Sequence, residues 1–131
     1  MTDIDHHPLL RRLPTPGGGF PSVLSIGDEP PATRICLDVS EELSCFRGHF
    51  PGQPVLPGIV QLHWAVIVCR ALYGFSDVPR DVKRLKFNKV VVPPRTLELW
   101  LSQPGEHEVQ FRFSSDGDEN SQGRIVFLGS G

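Results

Sequence analysis

The chain has 131 residues, which allows one domain and one core but not a cofactor domain beside a substrate domain. An apolar fraction of 39% and a net charge of -2 argue against a disordered chain and against a nucleic-acid partner. No apolar run reaches the ~18 residues of a membrane span, and MTDIDHHPLLRRLP lacks a signal-peptide core, so we expect a cytoplasmic protein.

The cysteines and the outlying histidines predict neither a disulfide nor a metal site. The cysteines are odd in number, lack CxxC spacing and lie in or beside apolar runs, which predicts buried free thiols in a reducing compartment: Cys36, Cys45 and Cys69. The scattered histidines show no H-x3-H or HExxH spacing, so no metal is expected at His6, His7 or His107.

The first part of the chain predicts an arm and a strand. Residues 1–22 contain paired histidines, paired arginines and PTPGGGFP, which favours a flexible N-terminal arm before a single domain over 23–131. From Ala32 to Val39 the sequence ATRICLDV alternates between apolar and polar residues, as in a half-buried strand.

A loop rich in proline and glycine precedes a long apolar helix. GHFPGQPVLPG contains residues that neither a helix interior nor a central strand accepts. Gly58 to Tyr73 follows, with Pro57 before it and Gly74 after it, which are typical helix boundaries. Its apolar residues surround the helix almost completely, so it must be enclosed by protein, and a partner subunit is expected to complete its burial.

The C-terminal half predicts strands joined by short, turn-rich connections. Leucine and phenylalanine recur at spacing two, which indicates an antiparallel meander packed on the helix in an α+β fold. The expected strands are Asp81 to Val92, Thr96 to Ser102, Glu108 to Ser114 and Gln122 to Leu128.

The loop and the helix start carry the elements of acid-base chemistry. The first amides of a helix lack intrahelical acceptors, and Gly58 has no side chain to keep a carbonyl oxygen away from them. His49, with an ordinary pKa near neutrality, can exchange a proton nearby. The pair therefore favours proton abstraction next to a carbonyl, although a histidine in a loop is more often inert.

Two further residues of the helix have competing interpretations. His63 shares a helical stripe with Ile59 and Arg70 and can face His49 if the loop folds back, but a lone helical histidine is more often a hydrogen-bonded core residue. Cys69 is expected to be inert, because Arg70 points roughly 100° away along the helix and nothing else lowers its pKa.

HFPGQPVLPG resembles the H-F-P-G-x-P-x-x-P-G signature of the 3-hydroxyacyl-[acyl carrier protein] dehydratases, which have the hotdog fold. The similarity extends over roughly Thr33 to Leu128 and includes VKRLKFNKVVVPPRTLEL, and GIVQLHWA is most similar to the branch associated with aryl polyene pigments. The resemblance implies a curved antiparallel sheet wrapped around the helix, a homodimer or a larger assembly of dimers, and active sites at the dimer interface.

The resemblance also assigns roles. His49 matches the base that removes the C2 proton of a (3R)-3-hydroxyacyl thioester, and Gly58 matches the amide that binds the thioester carbonyl, with Phe50 and Pro57 in the same substrate-binding set. The substrate is carried on the phosphopantetheine arm of acyl carrier protein, and no cofactor is expected.

His63 departs from the family pattern, which has Asp or Glu fourteen residues after the histidine, contributed from the other subunit. A protonated imidazole can still protonate the departing hydroxyl beside a neutral base. Three functions therefore stay open: a dehydratase, a hotdog thioesterase, and a non-catalytic subunit whose partner supplies the carboxylate. The complete histidine loop favours the first over the second.

Six of the thirteen cationic residues fall between Arg80 and Arg95. Such a run is often an ordinary solvated strand edge. Because acyl carrier proteins are acidic, the resemblance gives it a second interpretation as a carrier-protein contact, formed by Arg80, Lys83, Arg84, Lys86 and Lys89.

Overall fold

The computed structural model describes residues 7–16, 19–46, 54–76 and 78–128. They form one six-stranded antiparallel sheet and one helix. Two short 3-10 turns, Pro8–Arg12 and Ser44–Phe46, precede the helix. The strands and the helix are, in chain order, β1 (Ser22–Glu29), β2 (Ala32–Val39), α1 (Gly58–Tyr73), β3 (Pro79–Phe87), β4 (Arg95–Gly105), β5 (Glu108–Ser115) and β6 (Asp118–Phe127).

Helix α1 has the predicted bounds. Pro57 is the N-cap in an extended conformation, and Gly74 ends the helix at φ 78°, where its N–H donates to the Arg70 carbonyl. Glycine adopts that left-handed conformation without the steric penalty that a Cβ brings. Trp64 and Val68 are fully buried against the sheet.

The inner face of the sheet forms the other half of the core. Leu99 pairs with Phe113 and Leu101 with Phe111 across β4 and β5, and all four side chains are fully buried. Burying each such side chain contributes about 1.5–3 kcal/mol. The alternation predicted for these two strands is confirmed.

The predicted meander of the last four strands is wrong in one place. The sheet order is β1-β2-β4-β5-β6-β3, so β3 pairs with β6 at one edge and β2 takes the place beside β4. β3 also ends at Phe87 rather than Val92. The helix before β3 carries the chain across the sheet, and a sequence pattern does not encode which edge it reaches.

The described residues among the first 22 include several that pack on the domain. Leu9 is 3% exposed and Phe20 4%. The indole Nε1 of Trp64 donates to the Gly19 carbonyl at 2.8 Å, and Arg12 donates to the Ala71 carbonyl at 3.3 Å. Apolar burial and long-range hydrogen bonds offset the ordering cost of this glycine- and proline-rich segment.

The expectation of three buried thiols holds only for Cys69, since Cys36 and Cys45 are partly exposed free cysteines. Burial raises the pKa of Cys69 well above its ordinary value, which keeps the thiol protonated and unreactive.

No helix in the described parts of the chain is long and apolar enough to cross a membrane.

Candidate active site

The proposed base is not part of the described chain. His49 and Phe50, which the sequence assigned to the base and to substrate binding, fall within 47–53, outside the described residues. The described part of the site begins at Pro54 and continues into α1.

The start of α1 is held in place from outside the helix. The Leu56 amide donates to the Val91 carbonyl at 2.8 Å, which ties the segment before the helix to the β3–β4 connection. Pro57 makes no side-chain cap, and its carbonyl accepts from Val60 and Gln61 within the first turn. The amide of Gly58 therefore lies at the positive end of the helix dipole without a side-chain cap.

The ring of Phe87, at the end of β3, lies directly over Gly58. A Cβ placed on Gly58 would come within 2.5 Å of Cε1 and 2.8 Å of Cδ1 and Cζ of that ring. The ring is nonetheless 52% exposed. A side chain at position 58 would have to displace this ring, and the ring forms one wall of the space above the helix start.

A pocket with a volume of ≈ 430 Å³ lies open at this helix start. Gly58, Pro57 and Val55 line one side, and Phe87 and Val90 the other. Its size falls within the range of small-ligand sites. The pocket is therefore able to hold a thioester group beside the Gly58 amide.

Asn120 holds the segment that follows Phe87. Its side chain is 1% exposed; Nδ2 donates to the Lys89 and Val90 carbonyls, and Oδ1 accepts from Ser115. Its backbone carbonyl also accepts from the Asn88 and Lys89 amides. Asn120 thus fixes the wall of the pocket. Asn120 was not predicted from the sequence, because a lone asparagine in SSDGDENS is typical of a turn.

Gln61 ties the first turn of the helix to β6. It is 3% exposed, its Nε2 donates to the Leu56 carbonyl at 3.4 Å, and its Oε1 accepts from the hydroxyl of Ser121 at 2.7 Å. A buried polar pair of this kind is costly to break, because either partner alone is left unsatisfied. The pair therefore fixes the position of the helix start.

His63 faces a second, neighbouring cavity. Its side chain is exposed, in contrast to a core histidine. It lines a groove of ≈ 520 Å³ together with apolar residues of α1 and the start of β3, including Val66 and Val78. Ile59, 69% exposed, lines both this groove and the pocket at Gly58. Among the described residues that line the groove, none is acidic.

The basic residues expected to contact a carrier protein, in β3 and just after it, have different surroundings in the structure. Lys89 is paired with Asp118 at 2.5 Å, and Lys83 lies 3.9 Å from Glu108. Arg80 is exposed. The other two expected carrier contacts, Arg84 and Lys86, line a separate pocket that does not include Gly58.

The described residues include the helix amide expected to bind the carbonyl oxygen but not the expected base, His49. An amide at the positive helix end can stabilise an oxygen that gains negative charge, which is the electrostatic requirement for forming an enolate from a thioester. Ile59 lines both the pocket at that amide and the groove at His63.

Residues 27–124 match the family described as ApeI-like, ApeI dehydratase. A 3-hydroxyacyl-[acyl-carrier-protein] dehydratase FabZ of Bradyrhizobium sp. (strain ORS 278) is 32% identical, over 96% of this chain and 88% of the relative. A solved dehydratase heterocomplex, ApeI:P from Xenorhabdus doucetiae, contains a chain 30% identical with a TM-score of 0.73, over 81% of this chain and 96% of that one.

The dehydratase domain of a mycocerosic acid synthase-like polyketide synthase, 14% identical with a TM-score of 0.67, shares the fold alone, over 90% of this chain and 43% of that one. The expected α+β hotdog fold is confirmed by these structures together with the sheet and helix described above. The chain belongs to the ApeI-like dehydratase family.

Proposed function

We propose that the protein dehydrates a (3R)-3-hydroxyacyl thioester carried by acyl carrier protein to the trans-2-enoyl thioester. The observation that carries the proposal is the open pocket at the start of α1, which Gly58 and Phe87 both line and where the helix start has no side-chain cap. The family match and the relative named for this reaction support the same activity.

In the proposed reaction the thioester oxygen accepts a hydrogen bond from the Gly58 amide. An imidazole nitrogen of His49 removes a proton from C2, and the electron pair left on C2 forms the enolate, whose oxygen the amide stabilises. The C3–O bond then breaks as the hydroxyl is protonated, which forms the C2–C3 double bond and releases water. Electrostatic stabilisation of this type is worth about 3–4 kcal/mol for one donor.

His63 is the proposed proton donor to the leaving hydroxyl. It stands where the family pattern has an acid, and its side chain is exposed in the groove that meets the Gly58 pocket at Ile59. A protonated imidazole supplies the same proton that a carboxylic acid would. In this proposal His49 is neutral when it takes the C2 proton, and His63 carries the proton that it gives to the hydroxyl.

Incubation with a 3-hydroxyacyl carrier protein, followed by mass spectrometry of the intact carrier, tests this activity. Loss of one water from the acyl group is expected, and His49→Ala should abolish that loss. Release of the whole acyl group would instead identify a thioesterase and reject the dehydratase.

A second candidate is a subunit that is completed by a different hotdog chain. The exposed groove around His63 favours it, because its described lining lacks an acid and exposes Ile59 and Val78 at 69% and 68%. The solved relative of similar fold is itself part of a dehydratase heterocomplex. In this case the partner places a carboxylate near the pocket, and the protein alone leaves the hydroxyacyl carrier protein unchanged.

The two candidates differ in what restores activity. If the protein is a self-sufficient homodimer, it dehydrates the substrate alone and elutes as a dimer on size exclusion with light scattering. If a partner completes the site, dehydration appears only when a second hotdog subunit with an acid at the equivalent helix position is added. An inactive homodimer that no such subunit activates would count against both.

We further propose that the carrier protein docks near the mouth of the Gly58 pocket, where Lys89 lies. The carrier brings the phosphopantetheine arm with its substrate, so the protein needs no cofactor of its own. Fatty-acid-like or aryl polyene synthesis in the cytoplasm is the proposed setting, which the ApeI-like family match and the free cysteines support.

A further inference from the structure

The outer face of the sheet carries a second pocket, separate from the helix start. Its volume is ≈ 420 Å³, within the range of small-ligand sites. It lies across three strands, because its lining comes from β3, β5 and β6. The lining residues are Arg84, Lys86, Gln110, Gln122, Gly123 and Arg124.

A β-bulge in β3 concentrates cations on this face. Lys83 pairs with Arg124 and Lys86 with Gln122, so β3 advances three residues while β6 advances two. Strand side chains normally alternate between faces, and the extra residue breaks that alternation. Arg84 is at the bulge with φ 53°, a left-handed conformation that is unusual for arginine.

The neighbouring residues show which face the bulge supplies. Val82 pairs with the buried Ile125, and Leu85 lies 3.3 Å from where a Cβ of Gly123 would be, beside the buried Phe111. Both Val82 and Leu85 therefore lie on the inner face. The two residues between them, Lys83 and Arg84, are left for the outer face.

The positive charge of the residues that line the pocket is only partly balanced by ion pairs with described carboxylates. One carboxylate, Glu108, pairs with Arg124 at 3.3 Å and with Lys83 at 3.9 Å. No ion pair joins Arg84 or Lys86 to a described carboxylate. Of the three cations that line the pocket, Arg124 has the Glu108 carboxylate as a partner, so Arg84 and Lys86 give the lining two positive charges that no ion pair with a described residue neutralises.

We propose that this outer pocket binds the phosphoryl group of a small phosphorylated molecule. Guanidinium and ammonium groups from two strands converge on it, and the amides of Gln110 and Gln122 add neutral hydrogen-bond donors. The strained Arg84 backbone is of the kind found where a structure holds a side chain for binding. A concave pocket of this size fits a small anion better than the flat surface of a protein partner.

The pocket lies on the opposite face of β3 from the proposed active site. Phe87 points inward to Gly58, whereas the adjacent Lys86 lines the outer pocket. The two sites therefore share strand β3 but lie on opposite faces of it, and the ligand of the outer pocket need not be the acyl substrate. This inference does not depend on the dehydratase proposal.

Calorimetric titration of the full chain with inorganic diphosphate, at ionic strength fixed with chloride, tests the proposal. Saturable one-site binding is expected. Arg84→Gly should weaken it at least tenfold, because glycine adopts the left-handed bulge conformation readily and removes the arginine side chain with its charge. Arg80→Gln is the matched control, since Arg80 is an exposed cation of the same strand outside the pocket, and its binding should match the parent.

Three results would overturn the proposal. The first is no binding beyond that of chloride. The second is an equal loss in Arg84→Gly and Arg80→Gln, which would show diffuse attraction rather than a site. The third is displacement of diphosphate by a carrier protein with its phosphopantetheine arm but not by the same carrier without it, which would assign the pocket to the carrier's phosphate. Circular dichroism of each variant confirms that a loss is not due to unfolding.

Discussion

The ring of Phe87 takes up the space that any side chain at Gly58 would need. The two residues are far apart in the chain, yet a Cβ on Gly58 would lie 2.5 Å from Cε1 of the ring. The Asn120 hydrogen bonds that fix the Lys89 and Val90 carbonyls hold the segment just after the ring. The uncapped start of α1 and the Phe87 ring that lies over it therefore form one structural unit.

A double-mutant cycle tests this unit. Gly58→Ala should lower kcat/KM of dehydration more than tenfold, about 1.4 kcal/mol, because the methyl displaces the ring and enters the carbonyl site. Phe87→Ala should also lower it, and the double variant should lose less than the sum. Melting temperatures should change little, because the ring is half exposed. Strictly additive losses would show that the two residues act independently.

Acidic replacements at position 63 test the proposed proton donor. His63→Asp and His63→Glu should retain or raise turnover of a 3-hydroxyacyl carrier protein, since each restores the acid of the family pattern in the same groove. His63→Ala should lower turnover while leaving the fold intact. If both acidic variants lose activity as fully as the alanine variant does, His63 is not the donor.

Removing one partner of the buried Gln61 and Ser121 pair should destabilise the fold. Ser121→Ala leaves Oε1 of Gln61 unsatisfied and should lower the free energy of unfolding by about 1–3 kcal/mol in urea titrations. Ser25→Ala, at an exposed strand serine, is the matched control and should change it by less than about 0.5 kcal/mol.

The double variant Gln61→Leu/Ser121→Ala should recover part of the stability lost in Ser121→Ala, because neither polar partner remains buried and alone. A double variant less stable than both single variants would contradict the hydrogen-bond explanation.

Stability should fall in alkaline solution, partly through Tyr73. Burial, with a smaller contribution from Cys69, raises the pKa of Tyr73 from its ordinary value of 10.0 to about 12. The folded state thus keeps this proton where the unfolded state loses it, so stability present below pH 10 is lost as the pH rises through about 12. Tyr73→Phe should make the fall in unfolding free energy above pH 10 shallower. Identical slopes in the two proteins would contradict this.

The helix and the central strands were predictable because their signals are local. Pro57 and Gly74 bound a largely apolar segment, and the leucines and phenylalanines of β4 and β5 alternate in register with the buried face. These patterns reflect backbone and burial rules that need no knowledge of the rest of the chain.

Other features depend on partners distant in sequence. β1 was not predicted, because Ile26 is its one buried position and the strand therefore lacks the alternation that reveals a half-buried strand. The place of β3 beside β6, and the role of Asn120 in holding the Phe87 segment, arise from pairings that the chain makes only when folded. The bulge at Arg84 likewise has no local sequence signal.

Hydration of a trans-2-enoyl carrier protein in D2O tests the central claim most directly, because the reverse reaction must place a proton from the base on C2. The parent protein is expected to form a 3-hydroxyacyl product with deuterium at C2. His49→Ala should form none, and Gly58→Ala should form much less of it. Equal deuterium incorporation by His49→Ala, or release of the free acid without hydration, would contradict it.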